Sequence, residues 1–431
     1  GAIWDGPSVT EPAIVDGVYQ IGTGAELAWF AQNAGKTGYE AINAILTADI
    51  SLGGFNWTPI ANDYGWKGIF DGDGHYVTDL YINSTSNNVA LFGYVSTGAV
   101  IKNLGVKGEV TTTGRTAAGI VTAKVASVKF SVENCKSEVN VSAQLNAAGI
   151  ISGQSANQTV KNCYNTGKIK ITRSGSSSSL TGGGVSCPSS QTQKIVIENS
   201  YNAGNISGVG KHGSVAYVNS ASNAVNVKNS YGLIGTCGTK TVAGTDVTAA
   251  ELRDLAETLG DAYMANPTSY NNGYPILTWE EGRILPLVKE EAKTELAAYK
   301  NAEDYRDAEK AELANIISEV NAAIDAAETI HAIQSLVDAA KEDMDALKTD
   351  AQYKAEELEA ELAAALAAAK EAAKKEVAEY KNADDYEEAE ALALTEIINS
   401  ALTDIDAAET TEAVTEIIES AKAAMDALPV I

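Results

Sequence analysis

The densest set of ionisable side chains in the sequence lies in IFDGDGHYVTDLYI, residues 69–82, where Asp71, Asp73, His75 and Asp79 fall within nine positions. Carboxylates around an imidazole could ligate a metal ion or divide acid and base roles at a glycosidic bond. As a calcium loop the stretch fails. Asp71 and Asp73 fit the first and third ligand positions, but His75 stands at the fifth, Tyr76 at the sixth where glycine is needed, and Ile82 at the twelfth where a bidentate glutamate belongs. As a glycosidase pair it lacks any surroundings that would raise one carboxyl above its ordinary range. Gly72 and Gly74 open backbone angles closed to other residues, and Asp71 and Asp73 can cap turn amides. Phe70, Leu80 and Ile82 supply apolar faces. The stretch therefore reads as a turn feeding a strand, and no catalytic, cofactor or metal residue is assigned to it.

Other candidates reduce in the same way. GVGKHG (Gly208, Gly210, Gly213) matches a dinucleotide fingerprint, but the strand-like SVAYV follows it where a helix is required. GKT at 35–37 has Phe30 where a phosphate loop needs its first glycine. No CxxC occurs and the three histidines are scattered, which argues against zinc. Trp57, Tyr64 and Trp66 could form a sugar platform or could cover the end of a stack.

Charge narrows the partners. The net charge of −26 argues against nucleic acid and against an anionic membrane surface. No apolar run approaches the roughly 20 residues of a membrane span. The start, GAIWDG, has neither the basic segment nor the apolar core of a signal peptide, so any export signal or wall anchor is expected outside this sequence. Residues 289–431 hold 13 Lys and Arg against 36 Asp and Glu, a net of −23, which leaves −3 for residues 1–288. Gly, Asn, Ser and Thr dominate the first part, Ala and Glu the second. A boundary between two kinds of structure is expected near residue 288.

The first part repeats. IKNLGV, VENCKSEV, VKNCYNTGKI, IENSYNAGNI and VKNSYGLIG place Asn at 103, 134, 162, 199 and 229, spaced by 31, 28, 37 and 30. A second series puts Leu91, Gly119, Gly149, Gly184 and Ser214 in phase with the first, at spacings of 28, 30, 35 and 30. Between the markers lie short β-branched stretches divided by Gly, Asn and Ser. None could bury an apolar face alone, so neighbours must stack. We expect a right-handed parallel β-helix, advancing about 4.8 Å per coil, with the asparagines as a ladder. Cys135 and Cys163 occupy equivalent slots of adjacent coils; a disulfide or two buried thiols would both fit. In an enzyme of this build, charged groups would stack across coils at one slot. Arg115 and Arg173 do not share a slot, and Glu133 and Glu198 sit beside the Asn ladder, where they read as solvent-facing.

The order LTADISL, WTPI, WKGIFDGDGHYVTDLYI, VALFGYV and AVIKNLGV resembles the GLUG-motif β-helix family of bacterial surface and secreted proteins. Upstream, YQIGTGAELAWFAQNAG is similar to that family's N-terminal cap helix. Downstream, LRDLAETLGDAYMANPTSYNNGYPILTWE is similar to its closing segment. Together these cover roughly residues 15 to 280, while the Ser-rich TRSGSSSSLTGGG departs from the pattern. The resemblance implies that the acidic stretch is a fold signature.

The second part is duplicated. AKTELAAYKNAEDY from Ala292 recurs as AKKEVAEYKNADDY from Ala373, and the offset of 81 also carries AIDAAET and AKEDMDALK onto their counterparts without a gap. Leu313, Ile316, Ile317, Val320 and Ile324, then Ile333, Leu336, Val337, Ala340, Met344 and Leu347, follow helical spacing. Asn301 and Thr329 fit N-caps, and one helix of about 30 residues is predicted from Asp350 to Lys381. The region resembles the Ala/Glu-rich helical stalk repeats of Gram-positive surface proteins.

The expected fold class is mixed, all-β then all-α: a parallel β-helix with capping segments (1–288), then an elongated antiparallel helical-bundle repeat (289–370 and a shorter 371–431). The expected protein is a non-catalytic, monomeric cell-surface or secreted protein, extracellular and without a cofactor. It would bind a glycan or a host extracellular protein, and neither nucleic acid nor, within this sequence, a membrane. A carbohydrate-active β-helix enzyme, and an accessory segment of a larger secreted protease, are the alternatives.

Overall fold

The computed structural model describes residues 2–125, 127–153, 157–174, 180–188, 195–217, 225–238 and 243–431. Most of TRSGSSSS, and the end of SVAYV at residue 218, lie outside the described residues. The chain divides into two compact units: residues 1–291 with 328–330, and residues 292–327 with 331–431.

The first unit is a parallel β-solenoid of about six turns. One coil runs through strands Lys129–Glu133, Lys136–Ala143, Asn146–Ala148 and Ile151–Gly153, and the next begins at Asn157–Lys161. Successive coils pair in parallel and in register, Phe130 on Gln158 and Val132 on Val160, then Val160 on Ile197 and Ile197 on Val227. The alternation within each strand sends Phe130, Val132, Val160, Ile195 and Ile197 inward, where they are buried in one continuous apolar column.

Both sequence markers have a steric cause. Asn103, Asn134, Asn162, Asn199 and Asn229 all sit at positive φ, between 45° and 55°. They form a left-handed corner, between the first and second strands of the later coils and, for Asn103, inside the continuous strand Val100–Thr112, a conformation that Asn tolerates best among residues with a Cβ. Gly119, Gly149 and Gly184 stand where the third strand meets the fourth. There an added Cβ would lie 2.3 Å from the Gly149 oxygen, 2.4 Å from the Gly184 oxygen and 2.0 Å from the Ser214 oxygen respectively, so only glycine fits.

Helix Gly24–Asn33 closes the first coils. Thr23 caps it by accepting from the Glu26 amide, and Leu27, Phe30 and Ala31 are buried beneath it. Phe30 meets Trp66 and Phe70, and Trp66 stacks on Phe92 at 5.5 Å. After the last strand, Thr245–Val247, short helices Ala249–Arg253 and Ala256–Leu259 lead to an antiparallel pair, Tyr263–Met264 with Ile276–Leu277. These bury Leu252, Leu259, Tyr263, Tyr274 and Leu277 with Tyr164 and Tyr201 of the coils.

The second unit is helical. Helix Glu281–Tyr299 enters it, followed by Asp307–Ala326, Ile330–Asp345, Asp350–Glu379, Glu388–Ala407 and Thr411–Asp426. Asp350–Glu379 is the unbroken 30-residue helix that the absence of breakers predicts. Asn301 caps a 3-10 turn, Ala302–Asp304, by accepting from the Glu303 amide, and Thr329 directly precedes Ile330–Asp345. Ala373, Val377, Tyr386, Leu394, Ile405, Val414 and Met425 form a core shared by the last three helices. The duplication extends to polar contacts. Tyr299 donates to Asp345 as Tyr380 does to Asp426, and Lys341 reaches Glu295 as Lys422 reaches Glu376, each pair 81 residues from its counterpart. No helix among the described residues is long and apolar enough to cross a membrane.

Candidate functional site

The acidic stretch is a strand, Ile69–Ser84, with two register shifts against its neighbour, rather than a turn leading into one. Asp73, Gly74 and Asp79 take positive φ, so the turn is compressed into corners within the strand. Asp71, His75 and Asp79 go to separate partners. Asp71 accepts from the Asp73 amide at 2.8 Å and from Asn103 Nδ2 at 3.0 Å, forming the first rung of the amide ladder. The ladder continues from Asn134 Nδ2 to Asn103 Oδ1 at 3.3 Å and from Asn229 Nδ2 to Asn199 Oδ1 at 2.8 Å. Asp79 accepts from Ser51 Oγ at 2.6 Å, and His75 Nδ1 lies 3.3 Å from Asp49. Asp49 also takes a bidentate contact from Arg283, both distances 2.8 Å. Partial burial pushes the Asp49 carboxyl up, but the Arg283 guanidinium and the Tyr76 amide outweigh it and hold the pKa at about 2. Among the described residues no group of three or more His, Cys, Asp and Glu could hold a metal ion.

The tryptophans do not form a sugar platform. Trp57 is 4% exposed and Trp66 not at all, because both are packed into the first coils, whereas Tyr64 is exposed. Gly208 and Gly210 take positive φ between two strands, Ile206–Gly208 and Lys211–Gly213, which makes GVGKHG a coil corner. The GKT segment follows helix Gly24–Asn33 instead of preceding a helix, so it presents no helix N-terminus to a phosphate. Cys135 and Cys163 share a slot as expected and are buried free thiols. The Cys135 amide points at Cys163 Sγ (3.5 Å), the Cys163 amide at Ser200 Oγ (3.2 Å) and the Ser200 amide at Ser230 Oγ (3.2 Å). The cysteines thus occupy a row whose later members are serines.

One buried cluster escapes sequence reasoning. Lys136, fully inaccessible, places Nζ 3.4 Å from Glu280 Oε1 and 3.5 Å from Glu138 Oε1, and it contacts the Tyr270 hydroxyl. The rings of Tyr270, Tyr164 and Tyr76 surround the ammonium at 4.4, 5.2 and 5.9 Å. Glu280 accepts from Tyr76 (2.9 Å), from Tyr164 (2.6 Å) and from the Leu277 amide (2.8 Å). Burial would lower the Lys136 pKa, but the Glu280 and Glu138 carboxylates reverse the effect and raise it, so the lysine stays charged. Burial, followed by the Glu280 charge, pushes the Tyr76 and Tyr164 hydroxyls well above their usual range. Lys136 and Glu280 are closed to solvent and each meets several partners, while Glu138 stays partly exposed at 25%; the cluster is a lock joining the closing segment to the coils. No short motif announces it, because its members come from five separate stretches of chain.

The second missed feature was visible in sequence. The residue before each ladder Asn reads Lys102, Glu133, Lys161, Glu198, Lys228, and Asp71 pairs with Lys102. Parallel register stacks all six in one row of alternating charge, Lys102 beside Glu133, Glu133 beside Lys161, Lys161 beside Glu198, and Glu198 beside Lys228. Glu133 and Glu198 do lie beside the ladder as expected, but they belong to a stacked row of charge rather than standing singly. Each acid has a cation as its neighbour; Lys161 and Glu198 approach to 3.8 Å. Two residues upstream on the same outward face lie Val100, Ser131, Thr159 and Val196. With Gly98, Lys129 and Asn157 they line a shallow groove of about 530 Å³.

No protein-family model matches the chain, and no curated protein does. Among solved structures, the chain is similar to a Bacteroides ovatus protein provisionally assigned as an immunoglobulin A1 protease. The identity is 18%, the TM-score is 0.42, and the match covers 61% of this chain and 93% of that one.

Proposed function

We propose that the protein is a non-catalytic extracellular binding protein, secreted or held at a cell surface, whose β-solenoid engages an extended ligand, a glycan or a host extracellular protein. The observation that carries this reading is the open groove bordered by the row of alternating charge. Ser131, Thr159, Asn157 and Lys129 offer hydroxyl, amide and ammonium groups at the coil spacing, beside the apolar surfaces of Val100 and Val196. A flat, polar, repeating face suits a ligand that itself repeats. The same row weighs against catalysis. Each carboxylate in it has a lysine, and no second carboxylate, in the adjacent slot of the row, so the row offers no paired acid and base.

The test is a glycan and extracellular-matrix array probed with the whole chain and with a Ser131→Trp, Thr159→Trp variant. Binding that the variant loses supports the reading; binding that survives the variant moves the ligand elsewhere and overturns the groove. Incubation with pectin, alginate, chondroitin, hyaluronan and mucin glycans should release no product. Turnover that disappears in Glu133→Gln or Glu198→Gln would replace the binding reading with the enzymatic one.

A further inference from the structure

The two helical repeats share their core and their polar clasps, yet one face differs. In the second repeat, helices Glu388–Ala407 and Thr411–Asp426 enclose a groove of about 680 Å³. Ala393, Ile397, Ala401, Ile417 and Ala421 form its floor, and Glu396, Asp404 and Glu416 stand on its rim. Moving 81 residues back gives the matching face of the first repeat. There the lining positions Ala393, Ser400 and Ala424 become the acids Glu312, Glu319 and Asp343, while Ala401 becomes Val320 and the other floor residues, Ile397, Ile417 and Ala421, keep apolar counterparts in Ile316, Leu336 and Ala340. The rim acids Glu396, Asp404 and Glu416 become Asn315, Ala323 and Ser335. Each face carries three acids, but at different positions, and only in the second copy is the floor, Ala393 included, free of charge.

We propose that this groove docks a basic amphipathic helix from a partner protein. Alanines on both walls let a third helix approach to the usual interaxial distance of about 8–10 Å, and Ile397 and Ile417 provide apolar contact for its ridge. From Ala393 to Asp404 the groove is about three helical turns long at 1.5 Å per residue. The acidic rim selects lysine or arginine beside the apolar ridge, which fixes the sign of the partner. A second copy of this chain does not fit. Residues 289–431 carry a net charge of −23, and the exposed leucines of the long helix, Leu358 and Leu362, are flanked by Glu356, Glu357, Glu359 and Glu361.

A synthetic peptide of about 18 residues, roughly five turns, with Leu and Ala on one face and Lys on its flanks, is the probe. Titrated into the whole chain, it should gain helical circular dichroism and bind measurably better than a scrambled peptide of the same composition. Ala413→Trp, which fills the groove, should weaken binding about tenfold or more, a loss of at least 1.4 kcal/mol. The equivalent change in the first repeat, Ala332→Trp, should leave binding unchanged. Absent binding, equal binding of the scrambled peptide, or equal effects of the two tryptophans would each overturn the proposal. Equal binding of the scrambled peptide would assign any attraction to net charge alone.

Discussion

Lys136 Nζ lies 3.4 Å from Glu280 Oε1, with both side chains closed to solvent and three tyrosine rings around the ammonium. The lysine belongs to the second strand of a middle coil and the glutamate to the last turn of the closing segment. The pair ties two parts of the chain that are remote in sequence, and it does so where an unpaired charge would be intolerable.

Removing one partner should therefore cost far more than removing both. Lys136→Met leaves Glu280 buried and uncompensated and is expected to destabilise the solenoid unit by about 3–5 kcal/mol. Lys136→Met combined with Glu280→Gln should recover at least half of that loss. Urea unfolding followed by tyrosine fluorescence measures both; a loss below about 1 kcal/mol in the single variant would show that the lock holds little energy.

The amide ladder separates two contributions at one residue. Asn103 sits at φ 55°, donates to Asp71 and accepts from Asn134. Asn103→Ala loses these hydrogen bonds and adds left-handed strain, for about 2–3 kcal/mol together. Asn103→Gly removes the strain and should cost about half as much. Equal costs in thermal unfolding would mean that the backbone conformation is not the constraint.

Reversing one charge in the alternating row tests whether it specifies register. Glu133→Lys sets three lysines side by side at 102, 133 and 161. A loss of about 1 kcal/mol or slightly more is expected at low ionic strength. Most of it should return in 1 M salt, where the screening length is about 3 Å. A loss insensitive to salt would assign the effect to packing.

Acid should release the Arg283 contact. The Asp49 pKa of about 2 lies below the roughly 3.9 of an unfolded aspartate. Its contribution is thus complete above about pH 4 and is lost as pH falls through about 2. Asp49→Asn should flatten the fall of melting temperature with pH across that window while leaving the neutral-to-alkaline side parallel to wild type. An unchanged acid slope would remove Asp49 from the acid response.

What the sequence determined by itself is whatever repeats. The Asn series marks left-handed corners and the Gly series marks points where coils touch too closely for a Cβ, so each residue type is dictated by local backbone geometry. The long helix Asp350–Glu379 was legible for the same reason, since helical spacing without a breaker needs no partner to be recognised. The alternating row was also legible, as Lys or Glu before each ladder Asn, although its meaning depends on in-register stacking. Tertiary structure alone decided the rest. Trp57 and Trp66 read either as a sugar platform or as a cover for the end of the stack, and only the folded chain, which packs both into the first coils, decides between them. His75 reads with its neighbouring aspartates, but the strand sends it to Asp49. The lock of Lys136, Glu280, Tyr76, Tyr164 and Tyr270 has no sequence signature at all. A buried charge is stable only when several distant groups converge on it, and convergence is a property of the folded chain.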